Sequence, residues 1–295
     1  MILFISTIIR KLSFLFLSNS LTYYPGMVLI KVGRYFRKMT FNNQESPRFH
    51  SIKMFNSINI NVDRFSYMGG SIFWTGFHHV NEALFLKSYL KSDMTFVDIG
   101  ANQGEFSLIA ASILKAGQVI SFEPVTYQRT LLDKNKMLNN FSNLEIHSFG
   151  LSNKESKMPI YTSNDTSLHQ GIHEGLSTLY ANGDRNQIQE IIELKVFDEI
   201  FFTELKRIDF IKIDIEGAEL YALQGMKNSI KKFHPLILIE INEDTFNAAG
   251  YKTEDIIYFF KSLNYQFYEI KKGKLIDKPM VQFNEWGNYI AKYSI

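Results

Sequence analysis

The sequence predicts an α/β fold: a mostly parallel sheet with helices on both faces, preceded by an N-terminal helical appendage. Three observations carry this. From residue 94 onward, short β-branched apolar runs alternate with helical stretches, the pattern of parallel strands buried on both faces. Two of these runs end in an acid followed by Gly or Pro, VDIGANQG and ISFEP, and such sheets bind ligands at the carboxyl ends of their strands. The first 40 residues differ in kind, being hydrophobic with six basic residues and no acid.

Taken in order, the opening stretch MILFISTIIRKLSFLFL is too short, and too interrupted by Arg10 and Lys11, to span a bilayer comfortably. It is also a poor signal peptide, with its basic pair in mid-segment. On a helix, Ser6, Thr7, Arg10, Lys11, Ser13 and Ser18 share one side, with Leu3, Phe14 and Leu17 intruding, while Ile2, Phe4, Ile5, Ile8, Ile9, Leu12, Leu15 and Phe16 share the other. Two readings follow: peripheral membrane contact through residues 1–20, helped by the downstream basic cluster, or a helix docked on the domain or on a partner subunit. Residues 41–66 are Asn/Ser-rich and weakly patterned, so the expected division is an appendage over 1–65 and a domain over 66–295.

Within that domain the expected strands are 95–99, 119–123, 144–148, 208–215 and 236–241, and the expected helices 105–114, 127–139, 218–231 and 254–263. Residues 152–193 are rich in Asn, Ser, Thr and Gly. They are too long for an ordinary connection and read as a hairpin plus a functional loop. The tail offers two more strands joined by a polar hairpin-like segment.

Composition narrows the function. The 295 residues are 45% hydrophobic and 21% charged with a net charge of +2, which is globular rather than disordered. The absence of cysteine excludes disulfides, thiolate zinc sites and a cysteine nucleophile, and leaves no sign of an oxidising compartment, so a cytoplasmic protein is expected, with membrane association through the first helix as the variant. Neither the net charge nor any basic stripe interleaved with aromatics argues for nucleic acid.

The chemistry is concentrated at three strand ends. Asp98 closes the first strand, and Gly100 and Gly104 frame the turn into the next helix. The turn reads G-x-N-x-G, not the three-glycine dinucleotide fingerprint. A carboxylate just before it disfavours a pyrophosphate and suits an ammonium. Glu123 lies 19 residues after Gly104, at the tip of the next strand, where an acid accepts two hydrogen bonds from a ribose. Asp98 and Glu123 together point to a nucleoside bearing an amino acid, S-adenosylmethionine. In IDFIKIDIEGAE, Phe210, Lys212, Asp214 and Glu216 fall on one strand face. Charges on a central strand are costly to bury, so they mark either a site or an internal ion-pair network in which Asp214 or Glu240 holds Lys212.

The run FVDIGANQGEFS, VISFEP, LLDKNKMLNN, GLSNKE, IDFIKIDIEGAEL and PLILIEIN resembles the FkbM family of S-adenosylmethionine-dependent methyltransferases, over roughly residues 70–295. The resemblance implies the Rossmann-like class I methyltransferase fold, with a seven-stranded sheet whose last strand is antiparallel, and O-methylation of a sugar, glycan or natural product. Carried over, Asp98, Gly100, Asn102 and Gly104 line the methionine end, Glu123 binds the ribose, and Gly150, Leu151 and Ser152 lie near the adenine. Asp214, Glu216 and Gly217 lie near the methyl acceptor. One departure stands out: the family often shows Thr-Leu-Asp before its fourth core strand, whereas KVFDEI keeps only Asp198.

A hydroxyl is a poor nucleophile, so a base should assist. Asp214 and Glu216 lead, and the same carboxylates could instead hold a divalent cation. His169 and His173, in the long loop, are further base candidates. His78 and His79 could line the acceptor pocket, and Trp74, Phe77, Glu82 and Lys212 could shape it. Two rival classes remain: a non-catalytic S-adenosylmethionine-binding module and, against the missing third glycine, a nicotinamide-dependent oxidoreductase. The sequence leaves the oligomeric state open.

Overall fold

The computed structural model describes residues 2–19, 21–40, 48–55, 57–163, 177–181, 183, 185–280 and 282–294. Helices α1 (Ile2–Leu17) and α2 (Tyr23–Thr40) form an antiparallel pair. A Cβ on Gly26 would meet Leu17 at 2.8 Å, and one on Gly33 would meet Thr75 at 2.8 Å and Ile9 at 3.3 Å. A β-hairpin follows, β1 (Phe49–Met54) and β2 (Ile58–Asp63), then α3 (Tyr67–Thr75) and α4 (Val80–Tyr89). Ser66 caps α3 by accepting from the Gly69 N–H.

The core alternates as expected: β3 (Thr95–Ile99), α5 (Glu105–Ile113), β4 (Gln118–Phe122), α6 (Thr126–Asn139), β5 (Leu144–His147). Then come the short β6 (Gly150–Leu151), the long β7 (Ser156–Ser163) and β8 (Arg185–Lys195), α7 (Phe197–Phe201), β9 (Phe210–Ile213), α8 (Glu219–Gly225), α9 (Lys227–Phe233) and β10 (Leu236–Asn242). The chain ends with α10 (Glu243–Ala248), α11 (Thr253–Ser262), β11 (Tyr265–Lys271), β12 (Lys274–Leu275) and β13 (Trp286–Tyr293).

The main sheet has the order β12-β11-β13-β10-β9-β3-β4-β5. Pairs among β10, β9, β3, β4 and β5 are parallel, and β13 runs antiparallel to both neighbours. These are the expected seven strands with the last one reversed, plus an eighth, the two-residue β12. Lys272 and Gly273 both have positive φ, +54° and +67°, and the tight two-residue turn they form folds β12 back onto β11. A second, three-stranded sheet, β6-β8-β7, occupies the expected hairpin region. The expected helix over 218–231 is divided at Met226. Gly225 there lies against the Ser152 carbonyl, which a Cβ would meet at 2.1 Å.

Strand alternation distributes the core to two faces. Phe96, Phe210 and Leu238 pack under α3, α4 and α5, while Val97, Ile211 and Ile239 pack under α8, α9 and α11. Ile9, Leu17, Tyr23 and Ile30 of the N-terminal helices, and Ile52, Ile60 and Val62 of the first hairpin, belong to the first of these clusters. The helical pair is thus docked on the domain. It docks with α1's polar side inward: Ser6, Arg10 and Ser13 are buried, and Arg10 donates to the Phe73 carbonyl and to Ser6 Oγ. Asp198, the part of KVFDEI that survives the departure from the family pattern, accepts from the N–H groups of Asn228 and Ser229 and so caps α9.

Candidate active site

The site lies at the carboxyl ends of β3, β4, β9 and β10. After β3 the chain turns through Gly100 and Asn102 to Gly104, with φ values of +81°, +50° and +101°. Glycine is required at the first of these by packing as well as by φ, because a Cβ on Gly100 would sit 2.1 Å from the Asp214 carbonyl. Gly104 opens α5, its α-hydrogen side filled by Leu132. Asp98 lies beneath this turn, completely buried. It accepts from Ser107 Oγ at 2.5 Å and stands 3.7 Å from Lys212 Nζ, while Lys212 donates to the Gly100 carbonyl at 2.8 Å. Burial raises the Asp98 carboxyl above its ordinary range. For Lys212 burial works against the charge, but Asp214 and Asp98 outweigh it and leave the ammonium favoured.

The tip of β4 carries Glu123. One carboxylate oxygen accepts from the Asn102 N–H at 2.8 Å and the other from the Val125 N–H at 2.9 Å. The group is therefore fixed in orientation with a lone pair left on each oxygen. Burial pushes its pKa up to about 7 against those two hydrogen bonds. Glu123 belongs to a cavity of about 650 Å³ lined by Gly100, Asn102, Gly150, Asp214 and Glu216, with Leu151, Ile160, Leu179, Ile192 and Leu194 as its apolar wall. Ile160, Ile192 and Leu194 of the small sheet form a cluster with Leu179, Val125 and Ala218, while Leu151 packs with the main sheet.

Beyond β9 the DIEG turn is held by its own second glutamate. Glu219 accepts from the N–H groups of Ile215 and Gly217, both at 2.9 Å, and from Tyr251 Oη. The turn needs it, since Glu216 and Gly217 both have positive φ, +52° and +104°. Arg185 from β8 pairs with Glu216 at 2.9 Å, and Thr178 Oγ1 donates to the Glu216 carbonyl. Lys212 stands 3.5 Å from Asp214. Burial and the Asp214 charge push Glu216 up to about 7, with Arg185 opposing. Burial raises Asp214 too, but Lys212, His79 and a hydrogen bond with Glu240 bring it below its ordinary value. Glu240, buried and facing three other carboxylates, is held well above the usual range. It also accepts from Trp286 Nε1 at 2.7 Å.

A second cavity, of about 1170 Å³, opens on the other side of this turn. It shares Gly100, Asn102, Asp214 and Glu216 with the first and adds Tyr67, His78, His79, Phe106, Arg185, Lys212, Glu240, Asn242 and Trp286. Glu105, the first residue of α5, holds its histidine corner by accepting from the His78 N–H at 2.6 Å and facing His79 Nδ1 at 3.4 Å. Burial drives His78 toward its neutral form. For His79 burial pulls the same way, but Glu105 overrides it and favours the imidazolium. The ligand atoms of Asp214, Glu216 and Glu240 all lie within 4.8 Å of one another. Lys212 and Arg185 already bring two positive charges to that group.

Of the residues expected at the site, Glu123, Gly150 and Leu151 line the first cavity, Lys212 lines the second, and Gly100, Asn102, Asp214 and Glu216 line both. Asp98, Gly104 and Ser152 line neither. Asp98 has Lys212 and Ser107 on it, and Ser152 is buried against α8 with its N–H on the Lys195 carbonyl. Trp74 is also away from both, 1% exposed and stacked on Phe36 at 5.5 Å. Phe77 is equally buried, edge-on to Phe55. Glu82, on α4, lines neither cavity, and its carboxyl is raised by burial against the charge of His79. His169 and His173 fall outside the described residues. Sequence reasoning missed Arg185, Glu105, Glu219 and Trp286, which meet the site only through the fold.

A family model, the methyltransferase FkbM domain, matches residues 98–267, more than half of the chain. "Methyltransferase 1" of Beauveria bassiana (strain ARSEF 2860) is 24% identical over 180 residues, covering 55% of this chain and 70% of that protein. "Methyltransferase sdnD" of Sordaria araneosa is 28% identical over 188 residues, covering 56% and 71%. Among solved structures, the FkbM methyltransferase of Methylobacillus flagellatus KT aligns with a TM-score of 0.45 at 18% identity, covering 69% of this chain and 44% of that one.

Proposed function

Because the chain belongs to the FkbM methyltransferase family, we propose that this methyltransferase moves the methyl group of S-adenosylmethionine to a hydroxyl oxygen of a polyhydroxylated acceptor, a sugar, glycan or natural product. The observation that carries the reading is the meeting of two unlike cavities at Asp214 and Glu216. The first cavity suits the donor: Glu123 offers one free lone pair per oxygen to a ribose, and Leu151, Leu179, Ile192 and Leu194 offer apolar faces to a base. When bound there, S-adenosylmethionine supplies an electrophilic methyl carbon on a sulfonium and leaves as the neutral thioether S-adenosylhomocysteine.

The second cavity suits a polyol. It presents Lys212, Arg185, His79 and Asn242 as donors, Asp214 and Glu240 as acceptors, and the exposed indole face of Trp286. Glu216 is the base: a carboxylate pushed up to about 7 is matched to accept a hydroxyl proton near neutral pH. Arg185 keeps its carboxylate aimed, and Glu219 keeps the turn that carries it. Lys212, on Asp98 and Asp214, fixes the floor shared by the cavities, so Asp98 acts from beneath the glycine turn rather than on the donor's ammonium. Lys212 and Arg185 supply the counter-charge that a divalent cation would otherwise bring, and a chelator is expected to leave turnover within about two-fold.

The test is transfer of isotopically labelled methyl from S-adenosylmethionine to a panel of sugars and glycans, with alkaline treatment of the product. An alkali-stable methyl ether, absent with Glu216→Gln, is the expected result. An alkali-labile ester or a methylated nitrogen overturns the hydroxyl assignment.

A further inference from the structure

We propose that the outer side of the α1–α2 pair is a docking surface for an anionic lipid membrane, with both helices lying along the membrane interface. The pair is apolar on its outer side as well as on the side where Ile9, Leu17, Tyr23 and Ile30 join the core. α1 turns Ser6, Arg10 and Ser13 toward the protein and leaves Phe4, Ile8, Leu12 and Leu15 outside. Phe4 is 70% exposed and Leu15 63%. The inward turn is enforced rather than incidental, because the Arg10 guanidinium is tied to Phe73 of α3 and to Ser6. α2 extends the apolar surface with Tyr24, Val28, Tyr35 and Met39, spaced as one helical face and all exposed.

Single exposed apolar side chains are ordinary. A continuous row on each of two adjacent helices is not, and it marks an interaction surface. The charges name the occupant. The exposed charged side chains of both helices are all positive, namely Lys11, Lys31, Arg34 and Lys38, and the chain has no Asp or Glu before Glu45. That surface complements anionic headgroups, whereas a second copy would bring these cations against an identical set. α1 has 16 residues, about 24 Å of helix, against about 30 Å of bilayer hydrocarbon. No described helix is long and apolar enough to cross a membrane. Tyr24 and Tyr35 are residues that favour the interface. The pair also reaches the site, since α2 stacks Arg37 over the Tyr67 ring at 4.6 Å and Tyr67 lines the second cavity.

The experiment is flotation of the full chain with phosphatidylcholine vesicles, with and without phosphatidylglycerol, for the wild type and two variants of matched thermal stability, Phe4→Ser/Leu15→Ser and Lys31→Glu/Arg34→Glu. The wild type is expected to float with the anionic vesicles. Each variant is expected to lose at least about ten-fold in partition, the second because each surface cation contributes about five-fold. Wild type that stays in solution with both vesicles overturns the proposal. So does equal flotation with neutral vesicles that Lys31→Glu/Arg34→Glu leaves unchanged. A discrete dimer that Phe4→Ser/Leu15→Ser dissolves, without flotation, assigns the surface to a second copy instead.

Discussion

The two cavities share four residues and almost nothing else. The first, the proposed donor side, is walled by aliphatic side chains around one ionisable group of its own, Glu123. The second, the proposed acceptor side, gathers Lys212, Arg185, His78, His79 and Glu240 around an exposed indole. The difference teaches how the work is divided. On the proposed reading, a donor common to many enzymes is recognised by one oriented carboxylate and an apolar slot, while an acceptor hydroxyl needs a base whose proton affinity is set by its neighbours. Glu123, which lines the first cavity alone, and Glu216, on the shared turn, are each pushed up to about 7, and this makes their two roles separable by experiment.

The largest expected effect is on the shared turn. Glu216→Gln should lower kcat by about 10²–10⁴-fold, the range of a lost general base, with the dissociation constant for S-adenosylhomocysteine within about three-fold of wild type. Steady-state kinetics beside calorimetry checks both. Glu123→Gln should do the reverse, weakening donor binding by about 10–100-fold through the loss of charged hydrogen bonds worth about 1.5–3 kcal/mol, with kcat at saturating donor little altered.

A pH series comes next in size. A base raised to about 7 is protonated and idle below that pH, so kcat should fall about ten-fold per pH unit as the pH drops below 7 and level off above it. That limb should vanish in Glu216→Gln. Donor affinity should also weaken below about 7, because Glu123 is then a carboxylic acid with less to offer a ribose, and that limb should vanish only in Glu123→Gln. If one variant abolishes both limbs, the separation of the cavities fails.

The smallest effect is a control. Trp74→Phe should leave both KM values within about two-fold while lowering the unfolding free energy, by less than the about 3–5 kcal/mol of a truncation to alanine. A selective rise in acceptor KM would return Trp74 to the pocket despite its burial against Phe36.

Where the sequence was legible, the signal was local. Acids beside glycine or proline at strand ends pointed to Gly100, Asn102, Glu123, Asp214 and Glu216, which the fold gathers along one cavity, because the turn chemistry and the carboxylate are close in the chain. What escaped was brought in from afar. Arg185 precedes Glu216 by 31 residues, and Glu105 reaches back 27 to the His78 N–H. Asp98 was placed at the right strand end, but register sets it opposite Lys212 and Ser121, inside the sheet's packing rather than in the cleft. The N-terminal helix makes the same point. Periodicity groups Ser6, Arg10 and Ser13 on one side, but only the Phe73 carbonyl and α3 decide that this side faces inward.

The measurement that tests the division of labour most directly is a calorimetric titration of S-adenosylhomocysteine into wild type, Glu123→Gln and Glu216→Gln at neutral pH. The account predicts saturable binding to wild type, the same within about three-fold in Glu216→Gln, and about 10–100-fold weaker in Glu123→Gln. No binding to the folded wild type, or equal losses in the two variants, would contradict it.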